Sequence, residues 1–288
     1  MAMASDVPKP RRPSGLGRFV RRNPTLTFGA ILLALVVLAA LCAPLLVGDP
    51  ITMAPSQRLQ GPGGRYPLGT DSFGRDVLAR TVYGARVSLT VGALVATCAV
   101  AAGLFLGLVA GYIRRLDAPI MRVMDGLMAI PTMLLAIALV SLTRASVSTV
   151  IMAIFIPEVP RVVRLVRSVV LTVREQPYVE AAIAGGAGTF KIIRRHILPS
   201  TIAPLIVQAT YVCASAILIE AALSFLGAGS PPEIPSWGNM IAQSRLFLSR
   251  VPWTVFAPGL ALALTVLAIN LVGDGLRDRL DPRLARRM

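Results

Sequence analysis

Few residues in this chain of 288 are of a kind that makes or breaks bonds. It holds one histidine, His196, so a Ser-His-Asp arrangement has a single possible base, and no motif supports it. No Gly-x-x-x-x-Gly-Lys-Ser/Thr run offers amides to nucleotide phosphates, and no His-Glu-x-x-His offers zinc ligands. Cys42, Cys98 and Cys213 fall inside apolar runs, share no metal-ligand spacing, and as an odd set give no disulfide framework. Glu158 and Glu220 lie in apolar surroundings, where an ionisable side chain is costly and points to function by default. The chemistry left is recognition. One polar stretch, Arg174 to Pro199, carries Glu180-Ala181-Ala182, the glycines Gly185, Gly186 and Gly188, and then Phe190 to Pro199 with His196. Good helix formers from Glu180 to Ile183 predict a short helix whose small alanines let it lie close against another surface. The glycines end it, and a second helical turn, Phe190 to His196, leads back. As the only histidine, His196 reads as an interfacial hydrogen-bonder rather than a metal ligand.

The elements around that stretch are apolar. The chain is 55% hydrophobic and 15% charged, with mean hydropathy +0.71, whereas a soluble domain carries about 25% charged residues. It reads as an integral membrane protein. The net charge of +15 sits at the ends of apolar runs without interleaved aromatics, which excludes nucleic acid as the partner.

Six spans are expected: Thr27 to Val47, Val87 to Ile113, Pro119 to Leu142 with a kink at Pro131, Ser146 to Val163, Thr201 to Phe225 and Thr254 to Val272. Asp71 is the expected N-cap of an amphipathic surface helix that leads into the second span. Gly103, Gly107 and Gly111, four residues apart, predict a close helix contact. Arg161, Arg164 and Arg167 fall roughly on one face and carry the fourth span toward the cytoplasm, with Pro157 and Pro160 leaving the geometry of its foot open. Trp237 and Trp253 are expected at the outer interface. Most of the 29 Lys and Arg fall on the inner side when both termini are cytoplasmic, even though the outer connection carries Arg58, Arg65, Arg75, Arg80 and Arg86. The polar stretch is then a cytoplasmic excursion between the fourth and fifth spans.

Its Glu180-Ala181-Ala182, Gly186 and Leu198-Pro199 match the loop of permease subunits of bacterial ABC importers. The chain resembles the dipeptide/oligopeptide/nickel branch of that family, and within it the shorter, second permease. Further matching passages are Gly69-Thr70-Asp71 with Gly74 to Leu78, Tyr83 to Leu89, Glu220 to Gly227 with Pro235 to Met240, and Asn270 to Asp278 with Leu280 to Arg283. The resemblance, from about residue 18 onward, implies an all-α membrane protein with the type I importer permease fold. It implies Glu180, Ala181, Ala182, Gly186, Leu198 and Pro199 at a contact with the ATPase. It also implies a homologous second permease, two cytoplasmic ATPase subunits or one fused ATPase, an extracytoplasmic substrate-binding protein, and residence in the bacterial inner membrane. This chain is then not an enzyme and has no cofactor of its own, ATP and Mg being bound by the partner ATPases. Glu220 either lines the translocation pathway, where it could receive a peptide amine, or is a paired structural carboxylate at the outer interface.

The expected organisation is a disordered cytoplasmic leader (1–25), a first transmembrane helix (26–47), and an extracytoplasmic connection with an amphipathic helix (48–86). A five-helix permease core (87–276) with a coupling loop (174–199) and a cytoplasmic tail (277–288) complete it. The expected cargo is a di- or oligopeptide, with nickel as the alternative within the family. An ion-coupled secondary transporter is the rival from another class; it would want several buried acids and internal repeats, but Glu158 and Glu220 stand alone and no repeat is visible. An intramembrane enzyme lacks its catalytic groups.

Overall fold

Helices dominate the computed structural model, which describes residue 20 and residues 23–142 and 146–280; the one β contact among them is an isolated bridge between Thr70 and Asp76. Most of the expected leader, Arg144 and the last residues of the tail lie outside the described residues. Helix α1 (Pro24–Leu41) starts on a proline, whose missing N–H costs nothing in a first turn. Most of its surface stays exposed, and it meets the bundle through glycine: a Cβ on Gly29 would stand 2.7 Å from Leu271 Cβ.

Helix α2 (Val77–Tyr112) is longer than the expected second span, and it corrects two expectations. Asp76, not Asp71, is the N-cap: its carboxylate accepts from the amides of Leu78 (2.8 Å) and Ala79 (3.4 Å). Asp71 instead organises the turn before it, accepting from the amides of Phe73 and Arg75 and from Arg75 Nε at 2.7 Å. No separate surface helix precedes the span, because residues 77–86 are the first turns of α2 itself. A helix of 36 residues is about 54 Å long against a hydrocarbon layer of about 30 Å, so its start stands clear of the bilayer. Residues 48–76 fold over that projecting end, and Pro50 O accepts from Nη1 of the buried Arg80 at 3.4 Å.

The expected third span is broken rather than kinked. Helices α3 (Arg114–Ala129) and α4 (Thr132–Ser141) meet at 88°. Pro131 drives Ile130 into extended backbone (φ −93°, ψ 128°) and is itself extended in ψ, so the break spans two residues. Helix α5 (Val147–Arg174) runs on through both Pro157 and Pro160, past the expected end of the fourth span, and Ser146 Oγ caps its start by accepting from Thr149 N at 3.1 Å. Among the described residues, four helices (α1, α2, the segment ending in α8, and α10) are apolar and long enough to cross a membrane, and there are five if the bent pair is one span. Helix α5 is too charged to qualify by composition. It runs parallel to α2 along the glycine contact, an arrangement compatible with a sixth crossing.

That contact is the centre of the molecule. Gly103, Gly107 and Gly111 of α2 face Val162, Val166 and Val170 of α5 in constant register. A Cβ on Gly107 would lie 2.6 Å from Val166 Cβ, and one on Gly111 equally close to Val170 Cβ. Without a hydrophobic effect between helices in lipid, such close approach supplies the dispersion that holds them. After α5 come α6 (Pro177–Ala184), the single turn α7 (Thr189–Ile192), a π-helical segment (Ile193–Ile197), α8 (Leu198–Phe225), α9 (Trp237–Ser244) and α10 (Trp253–Leu280). Trp237 is not interfacial. It is fully buried, its Nε1 donates to Thr81 O at 2.9 Å, and it lies over Gly84, where a Cβ would come within 3.0 Å of its ring.

Candidate coupling site

The polar stretch forms a hairpin at the end of α5 opposite the outer segment. Helix α6 follows α5 after a two-residue turn. Pro177 occupies its first position, and Glu180 sits in its first turn, where a carboxylate is favoured by the helix dipole. Gly185 donates to Ala181 O (2.9 Å), Gly186 to Ile183 O (2.9 Å) and Ala187 to Ala182 O (3.0 Å), which closes the C-terminus. Gly186 has φ +77° with open space around its Cβ position, so the backbone conformation, not crowding within this chain, calls for glycine.

One face of the hairpin is anchored and the other is bare. Val179 of α6, Ile192 of α7 and Ile197 of the π-helical segment are buried with Val173 of α5 in the same apolar cluster that fills the space between α2, α4, α5 and α8. Each fully buried aliphatic side chain contributes about 1.5–3 kcal/mol; the hairpin is therefore fixed to the bundle. The rings of Tyr178 and His196, 6.0 Å apart, tie α6 to the returning segment. Arg174 Nη1 donates to Gly111 O at 3.1 Å and binds the root of the hairpin to the end of α2. On the opposite face Glu180, Ala181 and Gly186 are exposed with Tyr178, Ile183 and Phe190, while Ala182 is half-buried. Exposed apolar side chains (Tyr178, Ile183 and Phe190) beside the small Ala181 and Gly186 give this face an apolar, uneven surface.

Leu198 and Pro199 serve the return rather than the tip. Leu198 N donates to Ile193 O, a π-helical spacing, and Pro199 has no N–H for the carbonyl of Arg195. The widened turn lets α7 run into α8 without a break. Of the expected site residues, Glu180, Ala181, Ala182 and Gly186 are therefore brought together at the tip, and Leu198 and Pro199 form the hinge-side root.

Glu220 is fully buried near the other end of α8, where it accepts from Ser224 Oγ at 2.9 Å. Its surroundings are hydroxyls on three helices and their flanks, Ser88, Ser224 and Ser236. It faces the interior of this chain and is 0% exposed.

Sequence reasoning missed the partners of the three arginines on α5. Arg167 Nε and Nη2 donate to both oxygens of Asp117 at 2.5 and 2.6 Å, and Arg164 donates to Asp125 at 2.6 Å. Arg161 lies 3.6 Å from Glu158. The acids eight residues apart on amphipathic α3 were the available signal. At the end of the bundle away from the hairpin, Arg75 joins Asp71 to Gln243 (2.7 Å) and so pins residues 48–76 to α9.

Comparison with known proteins places these features in a family. Residues 99–286 match the model of the binding-protein-dependent transport system inner membrane component. A probable peptide ABC transporter permease protein of Sinorhizobium fredii is 62% identical over 94% of this chain and 93% of its own length. The dipeptide transport system permease protein of Alkalihalophilus pseudofirmus is 46% identical, over 92% of this chain and 88% of its own. Among solved structures, a chain of the MetNI methionine ABC transporter in inward facing conformations superposes with TM-score 0.58 at 19% identity, over 70% of this chain and 96% of that one; at that identity the likeness speaks for the fold.

Proposed function

Because the chain belongs to the family of binding-protein-dependent transport system inner membrane components and is a permease subunit of an ABC importer, we propose that its cargo is a short peptide and that α6 is the element through which ATP drives it. The cargo rests on relatives named for peptide and dipeptide transport at 62% and 46% identity over most of the chain. The single observation that carries the coupling role is the two-sided hairpin, locked to the core by Val179, Ile192 and Ile197 and bare at Glu180, Ala181 and Gly186. A helix docked in a groove of a soluble ATPase and unable to move independently of α5 and α8 is a lever. Movement of the groove tilts both helices and shifts the equilibrium between inward-open and outward-open states. We infer the partners to be a homologous second permease, two cytoplasmic ATPases or one fused ATPase that bind ATP and Mg, and an extracytoplasmic binding protein. We place the chain in the inner membrane, as the family description supports, with both termini and the hairpin on the cytoplasmic side, as the distribution of basic residues favours. For Glu220 the serine-lined burial favours the structural carboxylate reading.

Proteoliposomes holding the assembled importer test this reading. Dipeptide uptake is expected to require ATP, the ATPase subunits and the binding protein, and to survive a proton ionophore. Uptake driven by a proton gradient without ATP would overturn it.

A further inference from the structure

Arginine within a membrane span is expensive and almost always faces the bundle interior or a water-filled cavity. Arg161 lies midway along α5, its side chain 41% exposed, against Glu158, whose side chain is 0% exposed. Glu158 also accepts from Ser215 Oγ at 3.3 Å, and Ser215 lies near the middle of α8. The three residues therefore lie near the midpoints of α5 and α8. One carboxylate oxygen, Glu158 Oε2, is buried without a partner, so the pair holds its guanidinium through one oxygen and leaves the outward side of Arg161 uncommitted.

The surroundings are those of a conduit. On the azimuth of Arg161, α5 is buried above, at Ile154 and Pro157, and open below, where Arg164, Ser168 and Thr172 are exposed and Leu165 is half-buried. Arg164 and Asp125, 45% and 57% exposed, continue the polar stripe. Leu165, one turn below Arg161, opens onto a cleft of about 460 Å³ between α5, α8 and α10, lined further by Pro204, Gln208 and Arg277. Helical spacing puts Gln208, Tyr211 and Ser215 on one face of α8 toward this side. A track of guanidinium, amide and hydroxyl groups, starting near the midpoint of α5 and closed above, suits a solute that carries its own charge and peptide groups.

We propose that Arg161, braced by Glu158, is a carboxylate-binding subsite at the midpoint of the pathway, and that it receives the C-terminal carboxylate of the peptide. The inference rests on the peptide reading given above. A guanidinium offers paired N–H donors to a carboxylate, and the Glu158 carboxylate, 3.6 Å away, holds Arg161 nearby by charge attraction. Gln208 and Ser215 stand where the peptide's own amide groups would follow.

The test uses the assembled importer in proteoliposomes with a dipeptide bearing either a free C-terminal carboxylate or a C-terminal amide. Arg161→Gln is expected to lower uptake of the free acid about tenfold or more, the scale of a lost charged hydrogen bond, and to leave the mutant-to-wild-type ratio for the amide near one. Arg161→Lys restores most of the free-acid uptake. A second readout is independent of the binding protein and of folding losses in Arg161→Gln. With Cys42, Cys98 and Cys213 replaced by serine, Leu165→Cys should react with an impermeant thiol reagent from the cytoplasmic side and be protected by the free acid but not the amide. Equal protection by acid and amide overturns the subsite. A Leu165→Cys variant whose thiol never reacts means a neighbouring subunit covers this face, which also overturns it. Wild-type importer that hydrolyses ATP but moves no peptide refutes the cargo itself, a result distinct from either.

Discussion

Substitution of Gly107 by alanine tests the α2–α5 contact at its centre. The added Cβ would lie 2.6 Å from Val166 Cβ, 2.8 Å from its Cγ1 and 3.0 Å from Val163 O, where carbon pairs prefer about 3.5–4.0 Å. Relief requires α2 and α5 to separate by about 1 Å, and overpacking of this kind costs about 1–3 kcal/mol. Because the first clash is with Cβ, Val166→Ala does not relieve it and Val166→Gly does. The assay is thermal unfolding of the purified complex for the two single variants and the pair. Gly107→Ala/Val166→Gly should be more stable than the sum of its singles by about 1–3 kcal/mol, a coupling that neighbours in contact show and distant sites do not. Additive effects, or rescue by Val166→Ala as complete as by Val166→Gly, would refute the packing account.

Other outcomes follow from single contacts. Gly186→Asn should keep more transport than Gly186→Val at similar expression, because φ +77° is accessible to Asn and strained for a β-branched residue; equal transport by both would remove the conformational reason for glycine. Trp237→Ala should lower stability by about 3–5 kcal/mol, as a fully buried ring that also donates to Thr81 O; a loss below about 1 kcal/mol would place the ring at the interface after all. A double-mutant cycle on Asp117→Asn and Arg167→Gln should give a coupling of about 1 kcal/mol or less that weakens in high salt, since both groups of the 2.5 Å pair are partly exposed.

What the sequence revealed and what it hid divide along a physical line. Apolar runs announce spans because a bilayer demands length and satisfied backbone, and the Gly103–Gly107–Gly111 spacing announces a close contact because only a bare face permits one. The identity of the valines across from it is not readable, since that depends on which helix arrives. Pro131 predicts a bend, yet its angle of 88° reflects Ile130 and Pro131 both leaving helical backbone. Asp71 and Asp76 are equally suited to capping, and the choice is made by Arg75, whose side chain holds Asp71 in the preceding turn. Trp237 reads as interfacial because the residues around it are polar and proline-rich, and Gly84 on a distant helix makes room for it instead. At the coupling site, Glu180, Ala181, Ala182 and Gly186 are legible as a local pattern. The anchoring by Val179, Ile192 and Ile197 is not, because it joins three segments to one core.

The central claim is that α6 receives motion from an ATPase and passes it on through a rigid attachment. Ala181→Cys in the assembled importer, paired with cysteines scanned along the ATPase surface, measures it directly by disulfide formation. The account predicts cross-links to one contiguous ATPase groove both without nucleotide and with ATP, with peptide uptake arrested while the cross-link holds and restored on reduction. Full uptake with the Ala181→Cys variant cross-linked, or no cross-link to the ATPase in either state, would contradict it.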